Sequence, residues 1–267
     1  MAVSHIRESL GLSERKSCLL VNISVSEYRY QPKVDNDDTL RCRLRELAGQ
    51  RKRFGSPRLH IMLKRENLVV NHKRTERIYR EEGLALRRKR WRKGAAGLRV
   101  VMPSAIRPNE NWSMDFVSDS IVTGRCFRAL TIIDNYTREC PAIEVDTSLG
   151  GGRVVNVLER LAETRGLPEV ITIDNGPEFA GKVLDEWAYR RGVKLNFIRP
   201  GKPMENAYAE SFNGRLRDEC LNTNWFLNLK HARDIIEDWR KDYNEIRPHS
   251  SLKNMTPMEY ANATTGF

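Results

Sequence analysis

The sequence has few cysteines, and their arrangement does not fit a structural role. The five cysteines are an odd number spread through 267 residues, and no Cys-x-x-Cys pair occurs. This usage is typical of reduced thiols and argues against a disulfide framework or a zinc finger. We therefore expect a protein of the reducing cytosol that binds no zinc.

Long apolar runs are also missing. No stretch approaches the roughly 18 apolar residues that a membrane span requires, and the N-terminus lacks the apolar segment of a signal peptide. We expect a soluble, cytoplasmic protein that has no membrane partner.

Acidic residues are scarce in the first part of the chain. Residues 1–107 contain 26 lysines and arginines but 11 acidic residues, whereas residues 108–267 contain 20 and 24, for a net charge of +11. A basic excess of this size indicates a nucleic-acid partner, because each cation placed on a phosphate releases a counterion. The alternative, that the basic residues only keep the chain soluble, is disfavoured by the asymmetry between the two parts.

The basic part is predicted to be helical. Caps and apolar spacing predict a small helical segment in residues 1–35 and three short helices in residues 36–86. The last of the three is basic, and a third helix is the one that a helix-turn-helix domain places in the major groove. We expect DNA contacts from Lys73, Arg74 and Arg77. A solvated basic face on a structural helix is the alternative.

Residues 87–107 are too densely charged to pack in a core. We interpret them as a basic linker that lies along phosphates. Its expected DNA contacts are Arg87, Arg88, Lys89, Arg90, Arg92 and Lys93.

The composition then changes to that of an α/β domain, predicted over residues 108–224 and followed by a helical extension over residues 225–267. The pattern predicts three strands, then a helix, a strand, a helix, a strand and a helix. That order predicts a mixed five-stranded sheet of the ribonuclease-H-like kind, preceded by the small all-helical, helix-turn-helix segments.

Three carboxylates in this domain are candidates for a metal site. Asp115 lies inside the first predicted strand among apolar neighbours, where a charge is costly unless a cation receives it. Asp174 ends the fourth strand, which is the neighbour of the first in this fold, and Glu210 lies on the last helix. An all-oxygen site with open positions favours Mg²⁺, with Mn²⁺ as a substitute, and two such ions support phosphodiester displacement.

Helical spacing supports Glu210 over the other acidic residues nearby. Asn213 and Arg217 follow it by three and seven residues and share its face, where they are expected to contact DNA. We interpret the rival Asp134 as a turn residue and Glu178 as a spectator that faces solvent.

Taken together, these motifs resemble one known family. Asp115 and Asp174 are 59 positions apart, and 35 residues separate Asp174 from Glu210. With the surrounding Trp-Ser-Met-Asp-Phe, Asp-Asn-Gly-Pro-Glu-Phe and Glu-Asn-Ala-Tyr-Ala-Glu-Ser-Phe-Asn-Gly, the chain resembles the DDE transposases of the IS-three family, relatives of retroviral integrases. Residues 243–252 with Thr256 and Pro257 are similar to that family's C-terminal signature.

The resemblance implies a metal-dependent polynucleotidyl transferase in which Asp115, Asp174 and Glu210 hold the metal ions. It implies double-stranded DNA as the partner, both terminal inverted repeats and target, and a homo-oligomer formed on that DNA in the bacterial nucleoid. It also implies that the chain corresponds to the protein of a second reading frame, with the first-frame protein as a further partner. The retroviral relatives carry a zinc domain, but the histidines and cysteines of this chain do not have the spacing of its ligands. A non-catalytic DNA-binding regulator and a simple nuclease of the same fold are the alternatives.

Overall fold

The computed structural model of the protein describes residues 2–30, 37–86, 105–199 and 203–265. The chain divides into two compact units, residues 1–43 and residues 44–267. The five-part division expected from the sequence stays a prediction.

The first unit contains three short helices, α1 (Ala2–Leu10), α2 (Glu14–Leu20) and α3 (Val25–Tyr28). The turn between α2 and α3 places Asn22 at a φ of 56°. The side chain of Ser24 accepts a hydrogen bond from the Glu27 backbone N–H at 3.0 Å and so caps α3. Helix α4 (Asp38–Gln50) runs across the boundary between the units.

The second unit begins with the remainder of α4 and continues through α5 (Ser56–Arg65) and α6 (His72–Glu81). Pro57 lies in the first turn of α5, where its missing N–H costs nothing. The side chain of Asn71 caps α6 by accepting from the Lys73 N–H at 3.0 Å. Apolar side chains at helical spacing on these helices are fully buried, namely Leu44, Leu47, Leu59, Leu63 and Ile78.

The rest of the second unit is built on a five-stranded sheet. The strands are β1 (Asn111–Ser120), β2 (Cys126–Asp134), β3 (Ala142–Asp146), β4 (Val170–Ile173) and β5 (Lys194–Phe197). Their order is β3-β2-β1-β4-β5. Strands β1, β2 and β3 pair antiparallel, whereas β4 pairs parallel with both β1 and β5. The predicted mixed five-stranded sheet is confirmed.

Helices cover both faces of the sheet. They are α7 (Gly151–Thr164), α8 (Lys182–Arg191), α9 (Ala207–Glu219), α10 (Leu229–Glu245) and α11 (Pro257–Thr265). Trp112 and Met114 of β1 belong to the core that includes α7 and α8, and Val117 belongs to the one that includes α9 and α10. Because side chains alternate along a strand, Asp115 lies on the face covered by α9. No helix among the described residues is long and apolar enough to cross a membrane.

Candidate active site

The register of β1 and β4 brings two of the three candidate carboxylates together. Ser113 is the partner of Thr172 in this parallel pair. Two residues further along each strand come Asp115 and Asp174, so the two side chains emerge next to each other on the same face. The predicted neighbourhood of the two strands is confirmed, and the separation of 59 residues equals the register offset.

Asp115 is the most perturbed member of the group. Its Oδ2 accepts a hydrogen bond from Asn213 Nδ2 at 2.8 Å, and its Oδ1 accepts from the Phe116 N–H at 2.7 Å. Burial raises the pKa of Asp115 above its ordinary value, and the negative charges of Asp174 and Glu210 raise it further. Three acidic groups therefore act on one another at this edge of the sheet.

The loop after β4 shapes the position of Asp174. Its Oδ1 accepts a hydrogen bond from the Gly176 N–H at 3.0 Å. A Cβ at Gly176 would lie 3.0 Å from that same oxygen and 3.3 Å from Glu178 Oε2. A side chain at residue 176 would push these carboxylate oxygens away, so the glycine favours the observed orientation of Asp174.

Helix α9 carries the third carboxylate and an asparagine on the same face. Glu210 lies in its first turn and is exposed. Asn213 is buried, and its Oδ1 accepts from Thr131 Oγ1 of β2 at 2.9 Å while its Nδ2 binds Asp115. Its predicted DNA contact stays a prediction, but both ends of its amide bind protein groups here.

Asn206, just before α9, is a residue that sequence reasoning missed. It is buried and donates from Nδ2 to the Met114 carbonyl oxygen at 3.1 Å, next to Asp115 in β1. Its Oδ1 is buried and has no hydrogen-bond partner in the part of the chain that the structure describes. The hydrogen bond holds the start of α9 against β1 and thereby fixes the position of Glu210 relative to Asp115. The available signal was its spacing, since Asn206, Glu210 and Asn213 recur at helical intervals.

The donor set fits a hard divalent cation. Asp115, Asp174 and Glu210 offer oxygen ligands alone, which suit Mg²⁺ and Mn²⁺. A divalent charge would also offset the repulsion that raises the pKa of Asp115. In the parts of the chain that the structure describes, no three His, Cys, Asp or Glu side chains converge closely enough to hold an ion by themselves.

The two rival acids have other partners. Asp134 is fully buried at the end of β2, and it accepts from the backbone N–H groups of Tyr136 at 2.8 Å and Thr137 at 3.0 Å. Its interpretation as a turn residue is confirmed. Glu178 does not face solvent as expected, because it is half-buried and bonded to Arg128, which lowers the pKa of its carboxyl group.

The predicted DNA contacts are scattered over three places. Lys73, Arg74 and Arg77 are exposed on α6, and Arg77 pairs with Glu81 at 3.1 Å. Arg217 is exposed on α9. The remaining candidates lie outside the described residues: Arg87, Arg88, Lys89, Arg90, Arg92 and Lys93. Their roles stay predictions.

Comparison with known proteins finds two kinds of domain in this chain. Residues 105–203 and 191–257 match the integrase core domain, and residues 35–92 match an HTH-like domain. An uncharacterised 31.7 kDa protein of insertion element IS407 from Burkholderia multivorans (strain ATCC 17616 / 249) is 48% identical over 260 residues, which are 97% of this chain and 94% of the relative. An uncharacterised 39.2 kDa protein of insertion element IS476 from Xanthomonas euvesicatoria is 42% identical over 261 residues, which are 97% of this chain and 75% of the relative.

A solved structure supports the same fold. The simian T-cell lymphotropic virus intasome, in complex with the PP2A regulatory subunit B56 gamma, superposes with a TM-score of 0.53 at 14% identity. The match covers 82% of this chain and 74% of that chain. The predicted ribonuclease-H-like core is confirmed at the level of fold.

Proposed function

This chain belongs to the IS-three family of insertion-sequence transposases, and from that premise we propose that Asp115, Asp174 and Glu210 are its catalytic carboxylates. The observation that carries the proposal is the parallel register of β1 and β4, which sets Asp115 beside Asp174. The effect of Glu210 on the pKa of Asp115 supports the third member. The activity is cleavage of DNA at the ends of the element and joining of a 3′-hydroxyl to another phosphodiester.

The metal requirement follows from the chemistry of these ligands. Integrase cores are metal-dependent. In this chain we infer Mg²⁺, with Mn²⁺ as a substitute, as two ions held by Asp115, Asp174 and Glu210. When bound, the ions supply Lewis-acid activation of the attacking oxygen and stabilisation of the leaving oxygen.

The protein's own residues orient the reacting groups. Asn213 holds the Asp115 carboxylate in one orientation, and the Gly176 N–H does the same for Asp174. Asn206 fixes α9 against β1, so that Glu210 stays near the pair. Water and then a DNA 3′-hydroxyl are the successive nucleophiles, so no nucleophilic side chain is required.

DNA is the partner, read by the HTH-like domain and the integrase core. We propose that Lys73, Arg74 and Arg77 contact the terminal inverted repeats, because they are exposed on one basic helix. The basic segment of residues 87–93 follows the flanking phosphates, and Arg217, seven residues after Glu210, meets the backbone near the carboxylates. Joining two ends requires a homo-oligomer on DNA in the bacterial nucleoid, with the first-frame protein of the same element as a further partner.

One incubation separates the proposal from its two alternatives. The purified chain is mixed with labelled terminal-repeat duplex and Mg²⁺, Mn²⁺ or EDTA, and the products are resolved on a denaturing gel. We expect cleaved ends and longer strand-joined products in either metal and neither product in EDTA. Cleavage that never leads to joining would identify a nuclease, and binding with no product would identify a regulator.

A further inference from the structure

The family's C-terminal signature forms one wall of a cavity in the second unit. The cavity has a volume of about 580 Å³ and lies where the loop before α5, the helix α9 and the segment after α10 meet. Four arginines line it, two from the HTH-like part and two from the integrase core: Arg53, Arg58, Arg215 and Arg247. The hydroxyl and amide groups of Ser250, Ser251 and Asn254 complete the polar lining.

Two acidic residues partly neutralise these arginines. Glu219 accepts from Arg58 at 2.9 Å and from Arg247 at 2.8 and 2.7 Å in a two-pronged arrangement, and both Glu219 and Arg247 are buried. Asp218 pairs with Arg53. Four guanidinium groups against two carboxylates leave two positive charges in excess, and Arg215 pairs with no carboxylate among the described residues.

The neighbouring groups respond to this excess. Burial, followed by the charges of Arg247, Arg215 and Arg58, lowers the pKa of His249 to about 3. Burial and the charge of Arg247 also lower the pKa of Arg58. The cavity is therefore a place of positive potential, since the arginines that line it outnumber the carboxylates they pair with among the described residues.

The cavity adjoins α9, the helix that carries Glu210. Arg215 follows Glu210 by five residues on α9, which places it about 7.5 Å further along the helix axis and about 140° around it. The cavity therefore lies on a different side of α9 from the carboxylates, where it is open to the part of a bound duplex that extends beyond the reacting phosphodiester. Guanidinium forks match the geometry of phosphate oxygens, and the serine hydroxyl groups add further donors.

We propose that this cavity is a phosphate-binding site, in which Arg53, Arg58 and Arg215 hold the backbone of the element-end duplex. Arg247 and Glu219 are buried beneath them, and Glu219 positions Arg58 through its hydrogen bond. The proposal rests on the DNA partner assigned above and names a contact outside the catalytic carboxylates. The competing explanation is that these ion pairs only hold the HTH-like part against the integrase core and that the cavity binds no phosphate.

Two substitutions distinguish these explanations, one that removes a positive charge from the cavity and one that removes a negative charge. The affinity of the full chain for labelled terminal-repeat duplex is measured across a series of salt concentrations. Arg215→Gln should weaken binding by at least about tenfold and reduce the slope of log K against log[salt] by about 0.9 per lost contact. Asp218→Asn removes an anion from the cavity and should tighten binding and steepen that slope.

Controls keep the test specific. Arg191→Gln removes one arginine from α8, on the other face of the sheet, and should leave both quantities unchanged apart from the small effect of net charge. Melting temperatures verify that each variant is folded. Glu210→Gln, which also removes an anion, should bind DNA at least as tightly as the wild type while it loses strand joining, so that failure of the catalytic assignment and failure of the phosphate site are distinguished. Wild-type affinity and slope in Arg215→Gln, or weaker binding in Asp218→Asn, would overturn the proposal.

Discussion

Asn213 of α9 donates a hydrogen bond from Nδ2 to Oδ2 of Asp115 at 2.8 Å, across 98 positions of sequence. Its Oδ1 accepts from Thr131 Oγ1, so the amide is held at both ends and is buried. Each oxygen of Asp115 accepts one hydrogen bond, Oδ2 from Asn213 and Oδ1 from the Phe116 N–H, and each keeps a further lone pair for a cation. We infer that Asn213 positions Asp115.

Replacing Asn213 with alanine tests that role. We expect the rate of strand joining at saturating DNA to fall by about 10- to 100-fold, which is typical when a residue that orients a metal ligand is lost. The duplex dissociation constant should stay close to that of the wild type. Asn222→Ala, at an exposed position, is the control. Loss of DNA affinity with an unchanged rate would instead support the direct DNA contact expected from the sequence.

Asp115 should destabilise the metal-free protein. Its pKa is raised in the folded state by burial and by its acidic neighbours, so its ionised form is disfavoured there. Stability is therefore lost as the pH rises from the ordinary aspartate value of about 3.9 through the raised value. We expect Asp115→Asn to have a higher urea midpoint than the wild type at pH 7 in EDTA and no advantage below pH of about 3.5.

Mg²⁺ should reverse the order of stability of the wild type and Asp115→Asn. Added Mg²⁺ raises the melting temperature of the wild type, because an ion that binds only the folded state stabilises it. Asp115→Asn should respond little. A wild type that is already more stable than the variant in EDTA would contradict the inferred repulsion.

Glu219 is expected to stabilise the second unit through its two arginines. Its side chain is 7% exposed and that of Arg247 is 2% exposed. Glu219→Gln leaves two guanidinium groups without their carboxylate and should cost about 3–5 kcal/mol of unfolding free energy. Glu81→Gln breaks an exposed pair with Arg77 on α6 and should cost less than about 1 kcal/mol. Equal urea midpoints for the two variants would show that the buried network is not stabilising.

His249 should make the protein sensitive to acid. Its folded-state pKa is lowered to about 3, whereas the unfolded chain has a value of about 6.5. Between these values the unfolded state binds a proton that the folded state does not, so stability falls as the pH falls. His249→Gln should reduce the slope of unfolding free energy against pH by up to about 1.4 kcal/mol per pH unit between pH 6 and 4. The substitution of the exposed His5 with glutamine is the control and should leave the slope unchanged. An unchanged slope in His249→Gln would contradict the lowered pKa of His249.

The regular elements were largely predictable because they depend on short periodic patterns. The order of strands and helices predicted for residues 108–224 is the order found, from β1 to α9. Helix α1 lies in the segment of residues 1–35 that was predicted to be helical, and its apolar residues Val3, Ile6 and Leu10 follow helical spacing. Helix α9 begins at Ala207 rather than Glu205, since residues Pro203–Asn206 form a 3-10 turn.

The contacts that hold the site together were not predictable in the same way. The hydrogen bond from Asn206 to Met114 spans 92 positions and follows no period in the sequence. Arg247 was recognised as part of a C-terminal signature, but its pairing with Glu219 depends on how α10 returns to α9. Sequence patterns specify which face of an element is buried, whereas tertiary packing decides which polar groups meet there.

The central claim is that Glu210 completes the catalytic carboxylates, and Glu210→Gln tests it most directly. Strand joining of labelled terminal-repeat duplex is measured in Mg²⁺ for the wild type, Glu210→Gln and the control Glu205→Gln. Glu205 lies five residues earlier and is bonded to Arg199 at 2.7 Å. We expect Glu210→Gln to bind DNA and yield no joined product, while Glu205→Gln joins strands. Joined product from Glu210→Gln at a rate near that of the wild type would contradict the assignment.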